Sequence, residues 1–131
     1  MFVVRVCALT NKISGAFHCK SGQIFINTRV LKHLYDRKPA EEFDFIITHL
    51  AKLLADPDLI FCNKSSKRGD YVFVKQIDLD RYFCSLEVAS SCKKTCSNVD
   101  LHVVTVFRLR KKNYLHNYKL VWSRRGDIPS S

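Results

Sequence analysis

The clearest hydrophobic rhythm lies between residues 43 and 54. Phe43, Ile46, Ile47, Leu50, Leu53 and Leu54 return every three or four positions and so share one face of a helix. Pro39, followed by Ala40, Glu41 and Glu42, opens that helix and puts carboxylates near its positive end. Asp56 and Pro57 close it, because a residue before proline is pushed away from helical dihedrals. Upstream, a side-chain oxygen of Asn27 or Thr28 is placed to cap a shorter helix that runs through Tyr35.

Two valine- and isoleucine-bearing stretches, 2–9 and 23–26, read as short strands ahead of both helices. After Pro57 the texture becomes β-branched and aromatic over 59–62, 71–77, 82–88 and 101–107. Four strands in succession with short connections make an antiparallel meander. The polar run NKSSKRGD suits a turn, and 89–100, with its serines, cysteines and two lysines, reads as a mobile loop. The expected fold is α+β, with N-terminal helices packed on one face of a four- to five-stranded antiparallel sheet. The expected organisation is a strand-like extension over 1–22, one domain over 23–122, and a basic then polar tail over 123–131.

Composition supports a single packed unit: 131 residues, 47% hydrophobic and 26% charged, are enough for a core and unlike a disordered tail. Charge adds more. Lys and Arg number 22 against 12 Asp and Glu, a formal +10, which concentrates polyanions at the surface and points first to RNA. No run of about 18 apolar residues suggests a membrane span. The opening MFVVRVCAL is too short for a signal core and is broken by Arg5, so a cytoplasmic protein without membrane contact is expected. Six scattered cysteines then read as reduced thiols. Cys92 and Cys96 form one isolated pair, and a zinc site would need Cys62, Cys84 or His102 from far along the chain.

Candidate chemistry gathers in the last third. Arg108, Arg110, Lys111, Lys112, Lys119, Arg124 and Arg125 are placed to meet phosphates, and Tyr114, Tyr118 and Trp122 offer flat faces to exposed bases. The plainer reading is a solvated charge run with its aromatics in the core. In DLHVVTVFR, alternation puts Leu101, Val103, Thr105 and Phe107 on one face and His102, Val104, Val106 and Arg108 on the other. Thr105 is then a lone hydroxyl among apolar neighbours. His33 follows Arg29 by four residues, which makes them neighbours on a helix, and Lys75 sits in phase with Tyr71, Phe73 and Ile77. No HExxH, Walker loop, GxSxG or carboxylate cluster is present, so metal hydrolysis and nucleotide-driven chemistry are disfavoured and no cofactor is implied.

The order of a helix containing KHL, then IITHLAKLLADPDLIF, YVFVKQI, VVTVFRL and KKNYL, resembles the phage-associated nucleases of the barnase, EndoU, colicin and RelE-like superfamily. The resemblance spans about 23–122 and implies a metal-independent endoribonuclease that cleaves by 2′-hydroxyl attack, with RNA on the sheet face opposite the helices and a helix at KKNYL. It implies His33 as base or acid, Thr105 as a hydrogen-bond donor, Lys75 and Arg108 on the phosphate, and Tyr114 as acid or stacking group. Arg29, Lys111, Lys112, Lys119, Trp122, Arg124 and Arg125 would hold RNA. A toxin or phage-linked effector of this kind would have an acidic neutralising partner. The alternatives are an RNA-binding module of the same fold without turnover, and a protein-interaction domain of a virus or mobile element.

Overall fold

The computed structural model describes residues 2–14, 21–63, 70–88, 98–110, 115 and 118–124, apart from the side chains of residues 11, 14, 21, 63, 98 and 99. In chain order these form β1 (Val3–Ala8), α1 (Asn11–Ser14), β2 (Ser21–Asn27), α2 (Thr28–Arg37), α3 (Ala40–Ala55), β3 (Leu59–Asn63), β4 (Tyr71–Ile77), β5 (Asp80–Val88), β6 (Asn98–Arg108) and β7 (Tyr118–Ser123).

Local chemistry sets the helix ends much as the sequence indicates. Asn27 caps α2, its side-chain oxygen accepting from the Val30 N–H at 2.8 Å. Proline precedes α3, and the Asp56 N–H makes the last helical turn with the Lys52 carbonyl. Ile46, Leu50, Leu53 and Leu54 are buried, whereas Ile47, which the rhythm places with them, lies at the margin and is 38% exposed.

The strands differ from expectation in number and in sense. The meander β3–β4–β5–β6 forms with antiparallel pairing throughout, but it is the middle of a seven-stranded sheet in the order β1-β2-β6-β5-β4-β3-β7. That sheet is mixed, because β2 runs parallel to β6, with Ile24 beside Leu101 and Phe25 beside His102. Two strands also precede α2 and α3, so the helices are not N-terminal. The four- to five-stranded antiparallel expectation is therefore corrected. Its error has a physical origin: pairing between segments more than seventy residues apart leaves no local mark in either, and a parallel pair has no hairpin to announce it. β7 escaped notice because its apolar residues are embedded in a run dense with cations.

α2 and α3 lie on one side of this sheet, over a core that includes Ile24, Leu101, Val103, Leu86, Phe73 and Ile60. The opposite side carries a second, smaller apolar layer of Phe61, Val72, Val74 and Phe83. β6 and β7 are not neighbours in the sheet, and Leu109 and Leu115, from between them in sequence, pack on this second layer. Tyr118 and Leu120 of β7 pack there too. At the sheet ends, the Trp122 indole N–H donates to the Lys12 carbonyl at 3.1 Å, so α1, which follows one edge strand, touches the other edge strand. The sheet is curled around α3.

The β4–β5 hairpin turns through Asp78 and Leu79, and Asp78 has φ 57°. Aspartate tolerates this left-handed conformation because its short side chain bonds locally, whereas a branched Cβ crowds the carbonyl. Asp78→Val is expected to lower stability by about 1–2 kcal/mol and Asp78→Gly to leave it nearly unchanged. Equal urea midpoints for the two variants would contradict this.

Cys7, Cys62 and Cys84 are free thiols. Burial pushes Cys7 up to about 11 despite nearby Arg5, and complete burial pushes Cys84 up further, so neither supplies a thiolate at neutral pH. Cys19, Cys92 and Cys96 lie outside the described residues. Among the described residues, no helix is long and apolar enough to cross a membrane.

Candidate nucleic-acid interface

A phosphodiester can be attacked only where base, acid and cation meet around one phosphate. Of the five residues singled out for cleavage, the four that are described, His33, Lys75, Thr105 and Arg108, do not share one side of the sheet. His33 is exposed on α2, whose Leu34 is buried in the core on the helix side of the sheet. Thr105 is half-buried on the other side, paired with Ser85 and in phase with Phe107, whose ring stacks on Phe83 at 4.5 Å. The sheet itself lies between them.

The alternation assigned to β6 is corrected as well. Ser85 pairs with Thr105 and Leu86 with Val103, so Val104 is an extra residue in the strand. Such a bulge inverts the phase. Leu101 and Val103 therefore enter the helix-side core while Thr105 and Phe107 face the other way. Arg108 lies on the helix side opposite Tyr82 and pairs with Asp80 at 3.5 Å.

Lys75 is drawn into a structural ion cluster. Its side chain is only 9% exposed, and its ammonium donates to the Asp56 carbonyl at 2.8 Å and stands 3.6 and 3.8 Å from the Asp56 and Asp58 carboxylates. Arg124 bonds both carboxylates, Asp56 through Nη2 at 2.5 Å and Asp58 through Nε at 3.1 Å, and Lys12 pairs with Asp56. The Arg124 guanidinium, with the Lys12 ammonium, holds the Asp56 carboxyl well below the usual carboxylate range. Asp58 also accepts the Gln76 N–H at 2.7 Å. The cluster ties the ends of α1, α3, β3, β4 and β7 together, and three cations facing two carboxylates leave little charge over for a ligand.

Beside it, on the helix-free face, Asp58, Leu59, Val74, Gln76, Arg81, Ser123 and Arg124 line an open groove of about 390 Å³. Arg81 makes no side-chain ion pair among the described residues, but Asp58 offsets its attraction for an anion.

The remaining predicted contacts are scattered. Arg29 is exposed on α2 and Lys119 on β7. Trp122 is half-buried against the helix-side core, with its N–H committed to Lys12, which makes it part of the packing rather than a free stacking surface. Tyr114, Lys111, Lys112 and Arg125, together with the expected KKNYL helix and most of the 89–100 loop, lie outside the described residues, although β6 already begins at Asn98. His49 donates from Nδ1 to the Phe45 carbonyl at 2.8 Å and packs against the Phe45 ring.

The arrangement that the sequence did not reveal is a row across four strands of the helix-free face. Arg5 on β1 pairs with Phe25 on β2, Phe25 with His102 on β6, and His102 with Glu87 on β5. Their sequence neighbours Ile24, Ile26, Leu101, Val103 and Leu86 are buried on the helix side, so alternation turns the row outward. The Phe25 and His102 rings are near-parallel, 26° apart, with centroids at 5.4 Å. Arg5 Nε donates to the Gln23 side-chain oxygen at 2.5 Å, which ties the guanidinium to β2 two residues from Phe25. Only the parallel β2–β6 register brings Phe25 and His102 together, and nothing in either segment announces it. Comparison with protein-family models, with curated proteins and with solved structures finds no match.

Proposed function

We propose that this chain is an RNA-binding module that does not turn RNA over. The observation that carries this reading is the partition of the candidate catalytic groups, with His33 on the helix side, Thr105 on the other and Lys75 locked between carboxylates, in a chain that keeps a formal +10. Cleavage by 2′-hydroxyl attack needs those groups within reach of one phosphate. Binding needs only exposed cations, and Arg5, Arg29, Arg37, Arg81 and Lys119 are exposed without an ion-pair partner among the described residues. These cations lie on both sides of the sheet, which favours an extended strand following the surface over one deep cleft.

The test is a mobility-shift titration with a mixed-sequence RNA in EDTA, with the RNA then run on a denaturing gel. RNA shifted but intact, with affinity falling steeply as salt rises, is the expected result. Cut RNA would restore the nuclease, and the absence of any shift would remove RNA altogether.

A further inference from the structure

The helix-free face holds, across β2 and β6, a part-exposed aromatic pair that lies outside both apolar layers. Phe25 packs into neither apolar layer, although Ile24 and Ile26 on either side of it are 0% and 3% exposed. A cross-strand aromatic pair does stabilise a sheet, by about 0.5–1.5 kcal/mol. That alone would be served by two apolar residues, and it gives no account of the polar groups that flank the pair.

Near-parallel rings whose centroids stand 5.4 Å apart do not cover each other fully, and both residues are part-exposed. On one flank is the Arg5 guanidinium, held by Gln23 and without a carboxylate partner among the described residues. On the other is the exposed carboxylate of Glu87. Flat apolar area, a fixed cation at one end and an acceptor at the other match the parts of a nucleotide. The base has a π-face to stack, its phosphate meets the cation, and the amino or imino hydrogens of its pairing edge find the carboxylate.

We infer that Phe25 and His102 form a stacking platform for one unpaired base of single-stranded RNA, with Arg5 on the neighbouring phosphate and Glu87 on the base edge. This rests on the RNA-binding reading and narrows it, because a duplex keeps its base faces stacked inside and has none to offer the platform. The platform selects single strands. It also places the base contact on β1, β2, β5 and β6.

The experiment uses the full chain with an unstructured RNA decamer carrying a central 2-aminopurine, and the corresponding duplex, in EDTA at several salt concentrations. Wild-type protein is expected to quench the 2-aminopurine and to prefer the single strand. Phe25→Leu should weaken single-strand affinity by about 5- to 150-fold, the equivalent of one stacked base, and abolish the quench without changing the salt dependence. Phe25→Tyr should keep both. Arg5→Gln should reduce the slope of log affinity against log salt by about one. Thermal melts of each variant separate misfolding from lost contact. If Phe25→Leu binds and quenches like wild type, or if the duplex binds better, the platform is overturned while RNA binding stands. If wild-type protein binds neither RNA, both ideas fall together.

Discussion

Phe83→Ala is expected to destabilise the protein by about 3–5 kcal/mol, a large part of the total stability of a domain this size, and to leave RNA affinity nearly unchanged. Phe83 is 2% exposed on the side of the sheet opposite the helices, where it stacks on Phe107 at 4.5 Å and meets Tyr118 edge-on at 6.0 Å. Truncation there removes the ring and opens a cavity beneath Leu109, Leu115 and Leu120 that β-strands cannot collapse to fill. The prediction separates two views of this face. Were it an open RNA surface along its whole width, as the nuclease resemblance implies, Phe83→Ala would cost little stability and much binding. Urea unfolding of the variant beside an RNA titration reads both quantities. A midpoint close to wild type would mean that the second apolar layer does not exist.

The second large effect concerns the ion cluster. In Asp56→Ala/Asp58→Ala, Lys75, whose side chain is 9% exposed, keeps only a backbone carbonyl as partner for its ammonium, and Arg124 loses both of its carboxylates. Stranding a buried charge costs about 3–5 kcal/mol, and because the carboxylates are themselves one-third exposed the expected loss is about 2–3 kcal/mol. Lys75→Met is expected to cost under about 1 kcal/mol, since the aliphatic packing survives and both carboxylates keep Arg124. This asymmetry marks a structural role for Lys75.

Acid adds a second reading of the same cluster. Arg124 first, and Lys12 after it, depress the folded-state pKa of Asp56 below its unfolded value, so its contribution is complete above about pH 4 and fades as the pH falls further. Wild-type stability should therefore drop more steeply below pH 4 than that of the double variant. Parallel acid limbs in chemical denaturation would show that the cluster contributes nothing to folding.

These effects show how far local reasoning reaches. The three- and four-residue rhythm of 43–54, the Asn27 cap and the Asp56–Pro57 stop were legible because a helix satisfies its backbone within one segment, and its signals lie side by side in the chain. The meander β3 to β6 was legible for a similar reason, since hairpin partners are sequence neighbours. Charge was legible because it is additive and needs no geometry.

Function-bearing placement was not legible, and particular residues show why. Lys75 reads the same whether its ammonium meets a phosphate or Asp56 and Asp58; which it meets depends on where the end of α3 comes to rest. The side of the sheet that Thr105 faces was decided by one extra residue, Val104, in a strand whose alternation looked unbroken. Phe25 and His102 became neighbours through a parallel pairing across most of the chain. The sequence by itself determined the two longer helices, the central strands and the excess of positive charge, all set by contacts within a few residues or by none. Tertiary structure alone decided which side chains share a face and which cations are left free, because those depend on long-range register, and register is set by the burial of both sheet faces at once.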